Sequence, residues 1–173
     1  MTFQFRRVVT GHDEAGAAVV KSDEVVTAGE RLPGYHATTV WCTTEMPVDN
    51  TGEPRPGQAE SAEGSRKVLM RIGEMRADAP ASHAMHRTES LDYAVILSGE
   101  CDMELDGGDT VRRLRAGDVV IQRGTNHAWK PVGTEPCRFL FVLIDADRVR
   151  CGDMVLAEDV SAFRGAIHPR STK

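Results

Sequence analysis

The sequence has few of the features that would direct a protein to a membrane or to nucleic acid. Its longest apolar run, Phe139 to Ile144, is far shorter than the roughly 20 residues that a membrane-spanning helix needs. No block dense in Lys and Arg is present, and 26 acidic residues outnumber 21 basic ones, for a formal net charge of −5. Such a chain lacks the electrostatic signature of a protein that binds nucleic acid or anionic membranes. We expect neither partner.

Cysteine patterns and targeting signals are equally scarce. The four cysteines form no C-x-x-C pair, and the first seven residues lack the apolar segment of a signal peptide. Scattered cysteines in a chain of this length, without a secretory signal, indicate free thiols rather than a disulfide framework. We therefore expect a cytoplasmic protein. The cysteines are Cys42, Cys101, Cys137 and Cys151.

The composition is that of one soluble globular domain. A chain of 173 residues is long enough to bury a core without disulfides or structural metals. Hydrophobic residues make up 40% and charged residues 27%, which excludes a disordered chain. With nucleic acid and membranes excluded, the expected partner is a small-molecule substrate or ligand.

Short segments of alternating apolar and polar residues, bounded by Gly, Pro and Asp, dominate the chain. Val68, Met70 and Ile72 alternate with more polar neighbours, for example, and 106–109 is a strong hairpin turn. Turn signals at short intervals with no amphipathic helices between them predict an all-β antiparallel sandwich or barrel. Residues 48–65, rich in Gly, Pro and Glu, predict a mobile surface loop. Helix is expected only over 157–163.

Two segments carry residues suited to chemistry. The first runs from Met85 to Gly99 and contains His86 and Asp92, and the second runs from Gly117 to Trp129 and contains His127. Two histidines and a carboxylate on strands suit a divalent Fe, Mn, Zn, Ni or Co ion, and three such ligands leave coordination positions open for substrate or water.

The first segment resembles a motif of the cupin superfamily of small β-barrels, usually written G(X)5HXH(X)3-4E(X)6G. His86 matches the first histidine and Gly99 has the expected spacing, whereas Thr88 stands at the second histidine and Asp92 replaces the glutamate. The resemblance is strongest over 67–145 and is closest to small bacterial single-domain cupins. It implies an antiparallel, jelly-roll-like barrel and, because cupins often pair by sheet extension, a homodimer.

The second segment is similar to the other cupin motif, G(X)5PXG(X)2H(X)3N. Gly117, Gly124 and His127 match it, Gln122 replaces the proline, and Pro131 stands at the asparagine. Within this resemblance we predict three domain parts: an N-terminal strand extension and loop over 1–66, a barrel core over 67–145, and a tail with a short helix over 146–173.

The departures from the motifs leave two interpretations of the site open. In one, His86, Asp92 and His127 are the three ligands of a divalent metal. In the other the metal has been lost, and the two histidines are polar groups of a pocket, with Asp92 bonded to one of them. Strand alternation places Thr88 on the same face as His86. The other predicted pocket residues are Gln122 and Trp129.

The expected function follows from either interpretation. A metal would polarise a carbonyl or enolate oxygen or bind O2, for dioxygenation, decarboxylation, isomerisation or dehydration and cyclisation of an oxygen-rich substrate. Without metal, His86 or His127 is a candidate general base oriented by Asp92. The alternative from another class is a non-catalytic ligand-binding or sensor cupin.

Overall fold

The computed structural model describes residues 3–54 and 68–163, and these residues form an antiparallel all-β fold, as predicted. The described ranges contain thirteen strands, two short 3-10 turns at Pro80–His83 and Ser161–Phe163, and no α-helix. The strands are β1 Gln4–His12, β2 Ala18–Thr27, β3 Gly29–Leu32, β4 Tyr35–Thr43, β5 Val68–Met75, β6 Ser90–Ser98, β7 Glu100–Leu105, β8 Thr110–Arg115, β9 Val119–Arg123, β10 His127–Val132, β11 Cys137–Asp145, β12 Val149–Cys151 and β13 Met154–Leu156.

Two sheets enclose the core. The larger has the strand order β3-β4-β5-β11-β6-β9, and the smaller has the order β10-β7-β8. Every neighbouring pair is antiparallel, so residues that face each other across two strands point to the same side of the sheet. The apolar run 139–144 forms most of β11 at the centre of the larger sheet, where both faces are partly covered.

The interior is filled by apolar side chains from both sheets. Phe139 and Ile96 of the larger sheet are at most 1% exposed and face each other across β11 and β6. From the smaller sheet, Trp129 and Met103 point into the same core cluster. All four cysteines are reduced thiols, as predicted, and Cys101 and Cys137 are fully buried.

The N-terminal strands contribute to the fold in two ways. Strands β3 and β4 join the larger sheet, whereas β1 and β2 form a separate hairpin. The hairpin is attached to the outer face of the larger sheet, since an Arg7 guanidinium nitrogen donates to the Val40 carbonyl at 3.1 Å. The Arg138 guanidinium on β11 also lies 5.1 Å from the centre of the Phe3 ring, a cation–π distance.

The predicted helix over 157–163 is wrong. The backbone of Asp159 exchanges two hydrogen bonds with Arg87, at 2.8 and 2.9 Å, which holds this segment extended. A carboxylate oxygen of Asp159 then accepts bonds from the backbone and hydroxyl of Ser161, so only a 3-10 turn follows. Strands β12 and β13 form an unpredicted hairpin upstream. The predicted loop 48–65 lies mostly, and the end of the tail wholly, outside the described residues.

Nowhere in the described ranges is there a helix of the length and apolar character needed to span a membrane.

Candidate active site at the barrel mouth

Two of the predicted site residues, His86 and His127, lie side by side. The backbone N–H of each donates to the carbonyl oxygen of the other at 2.9 Å, which adds the His86 segment to the edge of the smaller sheet beside β10. Because the two residues are directly opposite, their side chains point to the same face, and their ring centres are 4.1 Å apart. The structure therefore brings the two predicted histidines together as neighbours.

Each imidazole is held through its Nδ1 atom. The Nδ1 of His86 lies 3.0 Å from the Ala84 carbonyl oxygen, and the Nδ1 of His127 lies 3.0 Å from the Thr125 carbonyl oxygen. A carbonyl can only accept, so Nδ1 carries the proton and Nε2 carries the lone pair in the neutral ring. Sequence reasoning had assigned the orienting role to Asp92, whereas the Nδ1 atoms are oriented by backbone carbonyls.

Burial keeps both rings neutral. It lowers the pKa of His86, and burial together with the adjacent His86 ring lowers the pKa of His127 to about 3. His127 is 2% exposed, so an imidazolium there would lose nearly all its hydration. The pair is therefore a neutral, hydrogen-bond-accepting surface across the physiological pH range.

Asp92 lies on β6 of the larger sheet and points inward. It is 5% exposed, whereas its neighbour Tyr93 is 38% exposed on the outer face, as strand alternation predicts. The Ser90 hydroxyl donates to one carboxylate oxygen at 2.5 Å, and the Thr88 hydroxyl approaches the other at 3.4 Å. Burial raises the pKa of Asp92, and the two hydroxyls oppose this effect. Ser90 was missed by sequence reasoning, although its i, i+2 spacing from Asp92 places it on the same face.

Gln122 connects the two sheets at this end of the barrel. It lies directly opposite Asp92 on the neighbouring strand β9 and is 3% exposed. Its side-chain nitrogen donates to the Thr125 carbonyl at 3.4 Å, the same oxygen that accepts from His127. Its side-chain oxygen is buried and has no hydrogen-bond partner among the described residues. We call the end of the barrel that carries His86, His127, Asp92 and Gln122 the mouth site.

Trp129 forms the floor beneath the histidines. Its ring meets the His127 ring edge to face at 5.8 Å and the Phe141 ring at 5.6 Å. Phe141 stacks on Phe139 with centres 5.5 Å apart. The predicted pocket residue therefore borders the mouth site on one side and packs in the core on the other.

A pocket of about 290 Å³ opens beside the mouth site. It shares Thr88 and Ser90 with the surroundings of Asp92, and its outer wall carries Arg123 and Arg148. Arg148 is paired with Glu89 at 2.7 Å. The site is therefore bordered by open volume on the side of β6 and β9.

Sequence reasoning missed Arg71 and Thr39, which the register places on the inward face. Arg71 of β5 lies opposite Phe141 on one side and opposite Thr39 of β4 on the other. Since the Phe141 ring packs on Trp129 inside the barrel, both polar residues share the interior face. In the sequence, the apolar residues Val68, Met70 and Ile72 indicate that their own face of β5 is the buried one. In the structure the opposite face of β5, which carries Arg71, lines the interior.

The donor set falls short of a complete metal centre. In the part of the chain that the structure describes, no group of three His, Cys, Asp or Glu side chains is arranged to hold a metal ion. Thr88 stands where the cupin motif has a second histidine, and Asp92 is engaged by hydroxyls. Two histidines are fewer than the three protein ligands of a catalytic metal site. The triad of His86, Asp92 and His127 stays a prediction, and we derive no step through a metal.

Comparison with known proteins agrees with this architecture. Residues 69–143 match the family described as Cupin domain. Phomopsin biosynthesis cluster protein C' of Diaporthe leptostromiformis is 33% identical over 87% of this chain and 83% of its own length. The cupin-domain-containing oxidoreductases fogC of Aspergillus ruber and virC of Hypocrea virens are 34% and 31% identical, over 83% and 88% of this chain and 73% and 81% of their own lengths. The chain belongs to the cupin family.

These relatives support the expected class of enzyme and do not support the expected likeness to bacterial cupins. They are fungal, so they lend no support to the closer likeness to small bacterial cupins that the motifs suggested. Two are named oxidoreductases and one is named for a biosynthesis cluster, which supports a cupin enzyme of small-molecule metabolism in general and no particular reaction.

Proposed function

We propose that this protein is a small-molecule enzyme that transfers a proton on an enolisable, oxygen-rich substrate bound at the mouth site, in an isomerisation or a dehydration and cyclisation. One observation carries the proposal. The neutral His127 ring, fixed through Nδ1 to the Thr125 carbonyl, shares that acceptor with Gln122, and the buried Asp92, with a raised pKa, lies opposite Gln122 on the neighbouring strand. A base and an acid of different environments are thereby held at one site.

The proposed chemistry balances without a co-reactant. The Nε2 lone pair of His127 takes a proton from a carbon next to a carbonyl group, and an enolate forms. The Asp92 carboxyl, whose protonated form burial favours, donates a proton to another atom of the substrate, which completes an isomerisation, or to a leaving hydroxyl, which departs as water. Burial disfavours the His127 imidazolium. The negative charge that develops on the substrate beside the ring favours it, so the basicity of His127 rises as the reaction proceeds.

The test follows proton transfer itself, because the substrate is not identified. A panel of β-diketones, catechols and polyketide-like enols is incubated with the protein in D2O, and deuterium incorporation is followed by NMR. We expect at least one compound to exchange faster with the protein, and His127→Asn to slow that exchange by about 10²-fold to 10⁴-fold. Asp92→Asn should slow turnover to product more than exchange, since it removes the proton donor. His12→Asn, on the exposed hairpin, is the matched control and should change nothing.

Metal content is measured on the same samples. A stoichiometric transition metal in protein purified without chelator, lost in His127→Asn, would overturn the proposal in favour of metal-assisted dioxygenation or decarboxylation. The metals to be assayed are Fe, Mn, Zn and Ni.

The alternative is a non-catalytic ligand-binding or sensor cupin, and the low pKa of His127 favours it because a group of pKa about 3 is a weak base. Saturable binding of a panel compound with no deuterium incorporation and no product, in the presence of each metal and O2, would establish this alternative.

A homodimer and a cytoplasmic location remain part of the proposal. Tyr93 and Ile121 lie opposite each other on the outer face of β6 and β9, at 38% and 55% exposure, and Val119 beside them is 58% exposed. Such an apolar surface suits a second copy of the chain. Light scattering should give twice the monomer mass, and Ile121→Lys should return the protein to a monomer with its fold intact. A wild-type monomer would contradict the dimer.

A further inference from the structure

We propose that Arg71, Thr39 and Tyr35 form a binding site for a carboxylate group, so that the substrates of this protein are enolisable organic acids rather than neutral compounds. The proposal rests on the proposed function, because it assigns a substrate class to the same barrel interior. Nothing in the motifs of the sequence points to these three residues.

The register places the three residues in one interior region of the larger sheet. Thr39 lies directly opposite Arg71, and Tyr35 is on the same face of β4 four residues earlier. The Tyr35 ring leans over β5 at Gly73, since a Cβ added there would meet the ring at 3.2 Å. This lean brings the ring toward Arg71. Burial raises the pKa of Tyr35, and the positive charges of Arg71 and Arg31 oppose that rise.

The Thr39 hydroxyl is a buried hydrogen-bonding group that a ligand in this region could satisfy. Thr39 is 4% exposed, and its hydroxyl has no hydrogen-bond partner among the described residues. An unpartnered buried hydroxyl carries a desolvation penalty, which a bound acceptor would remove. A carboxylate is the acceptor that also matches the planar, bidentate guanidinium of the arginine beside it.

A second unpartnered atom suggests what the other end of the ligand carries. The side-chain oxygen of Gln122 is buried and lacks a donor among the described residues, and Gln122 is on the inward face of β9. It would accept a bond from an enol or hydroxyl group. Strands β5 and β9 are separated by β11 and β6, about 14 Å along the sheet at about 4.8 Å per strand.

The experiment measures binding rather than turnover. Calorimetric titration compares 2-oxo and 3-oxo acids with the methyl ester of each acid, using wild type, Arg71→Met, Arg71→Lys and Thr39→Val. Wild type should bind at least one acid about tenfold to a hundredfold more tightly than its ester. Arg71→Met should abolish that preference and leave the ester affinity unchanged. Arg71→Lys should restore part of the preference, and Thr39→Val should reduce it by a few fold.

Arg123→Met is the matched control, because Arg123 lines the pocket outside the mouth site. It should leave the acid preference intact. Loss of the preference in Arg123→Met instead of Arg71→Met would place the anion in the outer pocket and overturn the proposal, as would equal affinity of wild type for acids and esters. Equal loss of acid and ester affinity in Arg71→Met would assign Arg71 a structural role and also overturn it.

The two proposals fail in different ways. His127→Asn should lose proton transfer and keep the preference for acids. If the preference for acids is present but no compound exchanges deuterium, the proposed enzyme function fails and the carboxylate site stands. Thermal unfolding of each variant checks its fold, and if Arg71→Met unfolds, Arg71→Lys and Thr39→Val decide the outcome.

Discussion

Acid should destabilise this protein through His127, and the size of the effect can be worked out. The ring has an ordinary pKa of 6.5, and burial with the adjacent His86 ring lowers it to about 3 in the folded state. Between these two pKa values the unfolded chain binds a proton at His127 and the folded protein does not. The free energy of unfolding therefore falls as the pH is lowered. At 1.36 kcal/mol per pKa unit, the full effect is about 5 kcal/mol, reached near pH 3. Between pH 7.5 and 5.0 it amounts to about 2 kcal/mol.

The assay is urea unfolding at pH 7.5, 6.5, 5.5 and 5.0, followed by tryptophan fluorescence. Wild type should lose about 2 kcal/mol more than His127→Gln over this range, because the variant has no group to protonate at this position. His12→Gln, which removes an exposed histidine, should follow wild type. The carboxylates contribute alike to all three proteins, and the difference between curves isolates His127.

A second measurement addresses the ring directly. The NMR signal of the His127 ring carbon should stay in its neutral position down to pH 5. A His127 signal that titrates near 6.5, or equal pH dependence in wild type and His127→Gln, would refute the reasoning. Either result would mean that water reaches the ring and that the mouth site is not the dry environment proposed for catalysis.

Three further predictions concern stability. Phe139→Ala should cost about 3–5 kcal/mol in urea unfolding, because Phe139 is fully buried, while Val20→Ala at 60% exposure should stay within about 0.5 kcal/mol. Gly99→Ala should lower the unfolding free energy by more than about 1 kcal/mol, since the backbone is at φ 76° and a Cβ would lie 2.6 Å from the Pro136 carbonyl oxygen; an unchanged urea midpoint would contradict this. Burial raises the pKa of Asp92, so wild type should lose stability relative to Asp92→Asn as the pH rises from about 4 through that raised pKa. Parallel urea curves at pH 4.5 and 7 would show that the carboxyl is hydrated.

Local patterns were sufficient to predict the strands. Period-2 alternation and turn residues indicate antiparallel strands in the part of the chain that forms β6 to β11, because these strands combine β-branched residues with tight Gly and Asp turns. The same rules failed at β12 and β13 and at the expected helix near Asp159. At Asp159 the conformation depends on backbone hydrogen bonds to Arg87, more than 70 residues away in the sequence, which no local pattern reports.

The sequence supplied candidate residues for the site but not all of the contacts among them. Spacing identified His86, His127 and Asp92, since the cupin motifs set the positions of these residues. It could not show that backbone carbonyls rather than Asp92 orient the imidazoles. Sequence reasoning missed Arg71 because a strand has two faces, and only pairing with the neighbouring strands decides which face is buried.

The sequence alone determined an acidic, all-β domain with the two cupin segments and the residue types that can move protons, because each of these depends on composition or on spacing along a single strand. The tertiary structure decided which residues meet. Pairing across β4, β5, β11, β6 and β9 puts Thr39, Arg71, Asp92 and Gln122 on one interior face, opposite a histidine pair from the other sheet. Register is a relation between strands distant in the chain, and it decides which of those residue types share the interior face.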